Sequence, residues 1–186
     1  DTLVFVDPVM ADNGKLYPAF DMAYVEAMKR LAFGADIILP NITEACLMLG
    51  IPYSKGPYTP GFIEDLLRRL SALGPRMVIL TGVYFDDRNI GAASFDAETG
   101  EISHCFAPMV PGYYHGTGDV FSSAAVAMVN SYSSTVSPFS AFFIRLTIPM
   151  VVGPFKDPTR TFVGTASSGF CVSALDSCVC SLESAS

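Results

Sequence analysis

Short apolar runs alternate with amphipathic helical stretches through the first 80 residues, and that alternation restricts the chain to a sheet covered by helices. Ile37-Ile38-Leu39 and Met77-Val78-Ile79-Leu80 read as strands buried on both faces. Before the first of them, Asp21 can cap a helix in which Met22, Val25, Met28 and Leu31 recur at helical spacing and Gly34 suits the exit. Asn41, with Glu44 three residues on, forms a capping box that opens a short helix through Leu49, closed by Gly50. Thr59-Pro60 opens another helix, with Phe62, Ile63, Leu66, Leu67 and Leu70 on one face, which ends at Gly74-Pro75. The expected class is α/β, a mostly parallel sheet covered by helices, in which ligands collect at the carboxyl ends of the strands. Asp7, after the strand-like Thr2 to Val6, stands at such an end, as do Asn41 and Thr81.

Ile90 to Asp96 and Glu101 to Phe106, joined through Glu98-Thr99-Gly100, predict an antiparallel hairpin. It leads to Gly116-Thr117-Gly118-Asp119, followed at once by a small-residue helical stretch containing Val120, Phe121, Ala124, Ala125 and Ala127. Two glycines let backbone approach a ligand closely, first-turn amides attract an anion, and Asp119 stands beside whatever they hold. Taken alone, the same four residues fit an ordinary turn with Asp119 as helix cap. Glu44 likewise reads either as a cation-facing carboxylate or as the capping partner of Asn41, and Asp12 as a ligand or as a turn residue in Asp12-Asn13-Gly14. The stretch Tyr53 to Tyr58 reads as surface loop in preference to a substrate lid.

Composition narrows the function classes. With 51% hydrophobic and 16% charged residues the 186-residue chain is globular, and a formal charge of −7 argues against nucleic acid, which needs clustered Lys and Arg. The most apolar run, Phe139 to Val152, is interrupted by Arg145 and Pro149 and is too short to span a bilayer, so no membrane partner is expected. The five cysteines make no CxxC pair, and with two histidines they supply no zinc spacing.

Four motifs now stand in order at strand ends: Asp7-Pro8-Val9-Met10 with Asp12, Pro40-Asn41-Ile42-Thr43-Glu44, Leu80-Thr81-Gly82, and Gly116-Thr117-Gly118-Asp119. Together they resemble the ribokinase-like superfamily and, more narrowly, its pyridoxal kinase branch. Thr117 with Asp119 favours that branch over sugar kinases, which usually carry Gly-Ala-Gly-Asp, and over hydroxymethylpyrimidine kinases, which tend to have Cys at the Asp position. The resemblance implies transfer of the ATP γ-phosphoryl to the hydroxymethyl oxygen of pyridoxal, pyridoxine or pyridoxamine, with Asp119 as base. It implies an anion hole from Gly116, Thr117 and Gly118, and contact with ATP from Asn41, Glu44, Thr81 and Gly82. By the same analogy Val110, Pro111 and Gly112 lie against the nucleoside, Asp12 and Glu44 hold Mg²⁺ directly or through its waters, and Asp7 and Thr81 serve a monovalent cation such as K⁺. A cytoplasmic homodimer is the corresponding expectation. The alternatives are a hydroxymethylpyrimidine kinase, or a nucleotide-binding fragment without activity.

Residues 1–130 are read as the ATP-binding and catalytic part of a ribokinase-like domain, and 131–186 as an atypical tail. The tail holds six charges and 17 Ser or Thr with no sustained period. The abrupt opening on a strand, without an initiator methionine, fits a piece of something longer that lacks an N-terminal substrate-binding half, and the tail fits a frameshift or misjoined exon.

Overall fold

The computed structural model describes residues 3–112, 116–131 and 179–183. In chain order the elements are β1 (Phe5–Val6), β2 (Ala11–Asp12), β3 (Lys15–Leu16), α1 (Met22–Phe33), β4 (Ile37–Ile38), α2 (Ile42–Leu49) and α3 (Pro60–Ser71). They continue with β5 (Met77–Val83), β6 (Asn89–Asp96), β7 (Ile102–Pro108), α4 (Thr117–Ser131) and β8 (Val179–Glu183).

Among the described residues six strands form one sheet in the order β1-β4-β5-β6-β7-β8. The pairs β1·β4 and β4·β5 are parallel, as strand and helix alternation requires, whereas β5 to β8 pair antiparallel. The predicted hairpin is β6·β7, with Phe95 opposite Ile102 and Gly91 opposite Phe106. The sheet is therefore mixed, with its parallel limb made by β1, β4 and β5, and it carries the α/β architecture expected.

Period-2 alternation divides the core between the two faces of the sheet. Ile38, Val78, Leu80, Ala93 and Phe95 face the larger cluster, which α1, α2 and α3 cover with Val25, Ala45, Ile63, Leu66, Leu67 and Leu70. Ile37, Leu39, Met77, Ile79 and Ala92 face the other side, where Phe121 and Ala125 of α4 pack.

The helix ends follow their local chemistry. Asp21 accepts the Tyr24 amide at 2.9 Å and Thr59 the Phe62 amide at 3.3 Å, each supplying an acceptor that the helix itself lacks. One expectation needs correction in part: Val25 is buried as expected, but Met22 and Leu31 are both 56% exposed, and Ala32 is buried beside Val25. At 100° per residue Leu31 lies about 120° round from Val25, whereas Ala32 is within about 20° of it. Tyr53 to Tyr58 is loop, as read, but Tyr58 within it is buried and packs edge-on against Tyr84.

In the tail, Val179–Glu183 pairs with β7, so this part of it is strand where the sequence showed no period. An edge strand offers unpaired backbone groups to any extended segment, whatever its side chains. The tail's remaining residues lie outside the described ones.

Candidate active site

Parallel pairing of β1, β4 and β5 brings their carboxyl ends to one edge of the sheet. Asp7 follows β1 there. Asn41 follows β4 and meets Thr81 of β5 in an isolated parallel bridge, and the Thr81 amide donates to the Pro40 carbonyl at 3.0 Å. Gly82 sits at a bulge in β5, at φ 73°.

The Asn41 and Glu44 capping box forms as expected, with the Glu44 amide on Asn41 Oδ1 at 3.0 Å and the Asn41 amide on Glu44 Oε2 at 2.9 Å. Glu44 does more than cap. Its Oε1 also accepts the Met10 amide at 3.1 Å and the Ala11 amide at 3.5 Å, while Asn41 Nδ2 donates to the Ala11 carbonyl at 2.8 Å. The first turn of α2 thus grips the β2–β3 hairpin that carries Asp12. Burial pushes the Glu44 carboxyl up to about 7, the Asn41 and Met10 amides act against that rise, and the negative charge of Asp7 adds to it.

Asp12 forms the turn expected of Asp12-Asn13-Gly14, its two oxygens accepting the Asn13 amide at 2.8 Å and Asn13 Nδ2 at 2.9 Å. Among the described residues no group of three His, Cys, Asp or Glu side chains makes a preformed metal cage. Mg²⁺ commonly keeps several waters and is held by one or two carboxylates together with substrate phosphates, and the half-buried Asp12 suits that mode. Glu44 is buried with both oxygens on backbone N–H groups, whereas Asp12 is only half-buried, so Glu44 suits an indirect role.

Gly116 lies at φ 78°, and its carbonyl accepts the Val120 amide at 3.2 Å, so the helix begins there and Asp119 is the third residue of α4 rather than its cap. The first-turn amides have no acceptor within the helix, and Asp119 is exposed at the same end. Asp119 lies close enough to Asp7 to repel it. Burial, then that repulsion, raise the Asp7 carboxyl, against a hydrogen bond from the Ser122 hydroxyl that lowers it. Asp7 therefore lies within electrostatic reach of two carboxylates, Glu44 and Asp119.

Val110 is half-buried, and Pro111 and Gly112 are exposed, on the segment that follows β7. His115, with Tyr113 and Tyr114, lies outside the described residues. Three residues without an assigned role in the sequence reading stand close to these groups: Ser122 one turn beyond Asp119, Thr43 in the capping motif, whose hydroxyl accepts the Gly14 amide at 3.0 Å, and Tyr53, packed against Gly14. Helical spacing was a signal for Ser122. Nothing local marks the other two, because their partners lie about 30 or more residues away.

A family model described as phosphomethylpyrimidine kinase matches residues 1–138. A pyridoxal kinase of Dictyostelium discoideum is 31% identical over 135 residues, which are 65% of this chain and 42% of that protein. Among solved structures, the pyridoxal kinase of Lactobacillus plantarum is 36% identical with a TM-score of 0.67, covering 80% of this chain and 51% of that one. A Bacteroides thetaiotaomicron protein assigned as a phosphomethylpyrimidine kinase is 32% identical with a TM-score of 0.74, covering 81% and 50%. The chain thus spans about half the length of these proteins. With three quarters of its residues inside the family match, and the architecture of the solved pyridoxal kinase over four fifths of its length, the chain belongs to the phosphomethylpyrimidine kinase family, with the ribokinase-like fold of pyridoxal kinases.

Proposed function

We propose that residues 1–130 carry the nucleotide-binding and phosphoryl-transfer part of an ATP-dependent kinase acting on the hydroxymethyl group of pyridoxal, pyridoxine or pyridoxamine. The observation that carries this reading is the approach of Asp119, in the first turn of α4, to Asp7 at the strand-end edge where Asn41 and Thr81 also meet. A helix N-terminus draws phosphate, and a carboxylate beside it can take a proton from an attacking hydroxyl.

In this reading Asp119 accepts the hydroxymethyl proton as the oxygen bonds to the γ-phosphorus, and the bond from that phosphorus to the β–γ bridging oxygen breaks to release ADP. Amides of Gly116, Thr117 and Gly118 stabilise the charge on the transferred group. Asn41 and Thr81 contact the phosphates with Glu44 and Gly82 beside them, and Val110, Pro111 and Gly112 contact the nucleoside. Asp12 holds Mg²⁺ with Glu44 ordering the hairpin beneath it, and Asp7 and Thr81 serve a monovalent cation such as K⁺. When bound, Mg²⁺ neutralises charge on the β and γ phosphates.

The acceptor is supported by relatives named pyridoxal kinase in both comparisons. The family model's description names a pyrimidine acceptor, phosphomethylpyrimidine, and the corresponding second reading for this chain is hydroxymethylpyrimidine. No helix among the described residues is long and apolar enough to cross a membrane. A cytoplasmic homodimer completes the proposal on the strength of the resemblance, with 131–186 as a tail outside the catalytic part.

The purified chain, given ATP and Mg²⁺ with either acceptor, tests the choice. The proposal expects pyridoxal 5′-phosphate to form faster. Preference for the pyrimidine would install the second reading, and nucleotide binding without either product would leave a nucleotide-binding protein without turnover.

A further inference from the structure

We propose that the Thr43 hydroxyl and the Tyr53 ring clamp Gly14 and thereby set the direction of the Asp12 carboxylate toward a divalent cation, an inference that rests on the reading of Asp12 above and adds its positioning residues. The Asn13-Gly14 turn has both residues at positive φ, 50° and 77°, the geometry of a tight two-residue hairpin. Asp12 is aimed by residue 13, because both of its oxygens accept from the Asn13 amide and side chain. The conformation of residue 13 depends in turn on where Gly14 is held.

Two contacts hold it. The Gly14 amide donates to Thr43 Oγ1 at 3.0 Å, and Tyr53 fills the space a side chain would need, since a Cβ on Gly14 would stand 2.5 Å from Tyr53 Cδ1. The strand before the turn is pinned separately, by Glu44 on Met10 and Ala11 and by Asn41 on the Ala11 carbonyl. Tyr53 is itself braced: it shares a side-chain hydrogen bond with Tyr58, whose amide donates to the Tyr84 carbonyl at 2.9 Å, two residues past the Gly82 bulge. Loss of the Thr43 hydroxyl would free the turn while leaving α2 and its capping box intact.

The experiment compares the chain with Thr43→Val and Thr43→Ser, reading Gly14 amide exchange by NMR and the affinity for ADP with and without Mg²⁺. Thr43→Val should speed Gly14 exchange about tenfold and weaken Mg²⁺-dependent ADP binding about tenfold, with metal-free ADP binding within about twofold. Thr43→Ser, which keeps the hydroxyl, should restore both. Unchanged Gly14 exchange in Thr43→Val, unchanged Mg²⁺ dependence, or failure of Thr43→Ser to restore either would overturn the clamp. A wild-type chain that binds no ADP at all would count against the kinase reading instead, and Gly14 exchange would then decide whether the clamp exists.

Discussion

The Glu44 carboxylate accepts the backbone N–H of Met10 at 3.1 Å, joining residues 34 apart and tying the first turn of α2 to the hairpin of Asp12. Its burial makes the site sensitive to pH. With the carboxyl raised from 4.5 to about 7, the folded chain binds more protons than the unfolded chain between those values. Stability therefore falls as pH rises from about 4.5 through about 7 and is level above, a contribution on the order of 3 kcal/mol. Urea unfolding at several pH values should show that slope in the wild-type chain and lose it in Glu44→Gln.

Asp7 offers a second titration, governed by its neighbours. Its carboxyl is raised by burial and by Asp119, and lowered by the Ser122 hydroxyl. Asp119→Asn should bring its midpoint down toward the ordinary value, and Ser122→Ala should push it further up. Carboxyl ¹³C shifts followed against pH read both directions, and equal movement in the two variants would break the proposed geometry.

On α1 the buried face differs from the one that apolar spacing suggests. Val25→Ala should cost roughly 2 kcal/mol, because the side chain is fully buried, whereas Leu31→Ala should stay within about 0.5 kcal/mol. Denaturant midpoints for the two variants check the pair.

Two glycines with similar φ should respond differently to alanine. Gly50 ends α2 at φ 65° with nothing within 4 Å of an added Cβ, so Gly50→Ala meets only the left-handed backbone cost of about 1 kcal/mol. Gly14→Ala adds a collision with Tyr53 to that cost and should lose about 2 kcal/mol or more. Thermal unfolding of both separates the collision from the backbone term.

Features written within a few residues of one another could be read directly from the chain. The Asn41 and Glu44 box, the Thr59-Pro60 start and the apolar face of α3 needed only their own neighbours. So did the strand-end positions of Asp7, Asn41 and Thr81, because alternating strands and helices force parallel pairing. What escaped the sequence joins distant segments: the reach of Glu44 to Met10 and Ala11, the Thr43 to Gly14 bond, the burial of Tyr58 against Tyr84, and the pairing of Val179–Glu183 with β7. Leu31 escaped for another reason. Apolar spacing marks a face, but packing against α2 and the sheet decides which edge of that face is covered.

The most direct test of the central claim compares the folded wild-type chain with Asp119→Asn in single-turnover formation of pyridoxal 5′-phosphate, with nucleotide affinity measured alongside. The account predicts product from the wild type, a loss of rate of about 10² or more in Asp119→Asn, and nucleotide affinity within about twofold. Product at the wild-type rate from Asp119→Asn, or none from a folded wild-type chain that binds nucleotide, would contradict it.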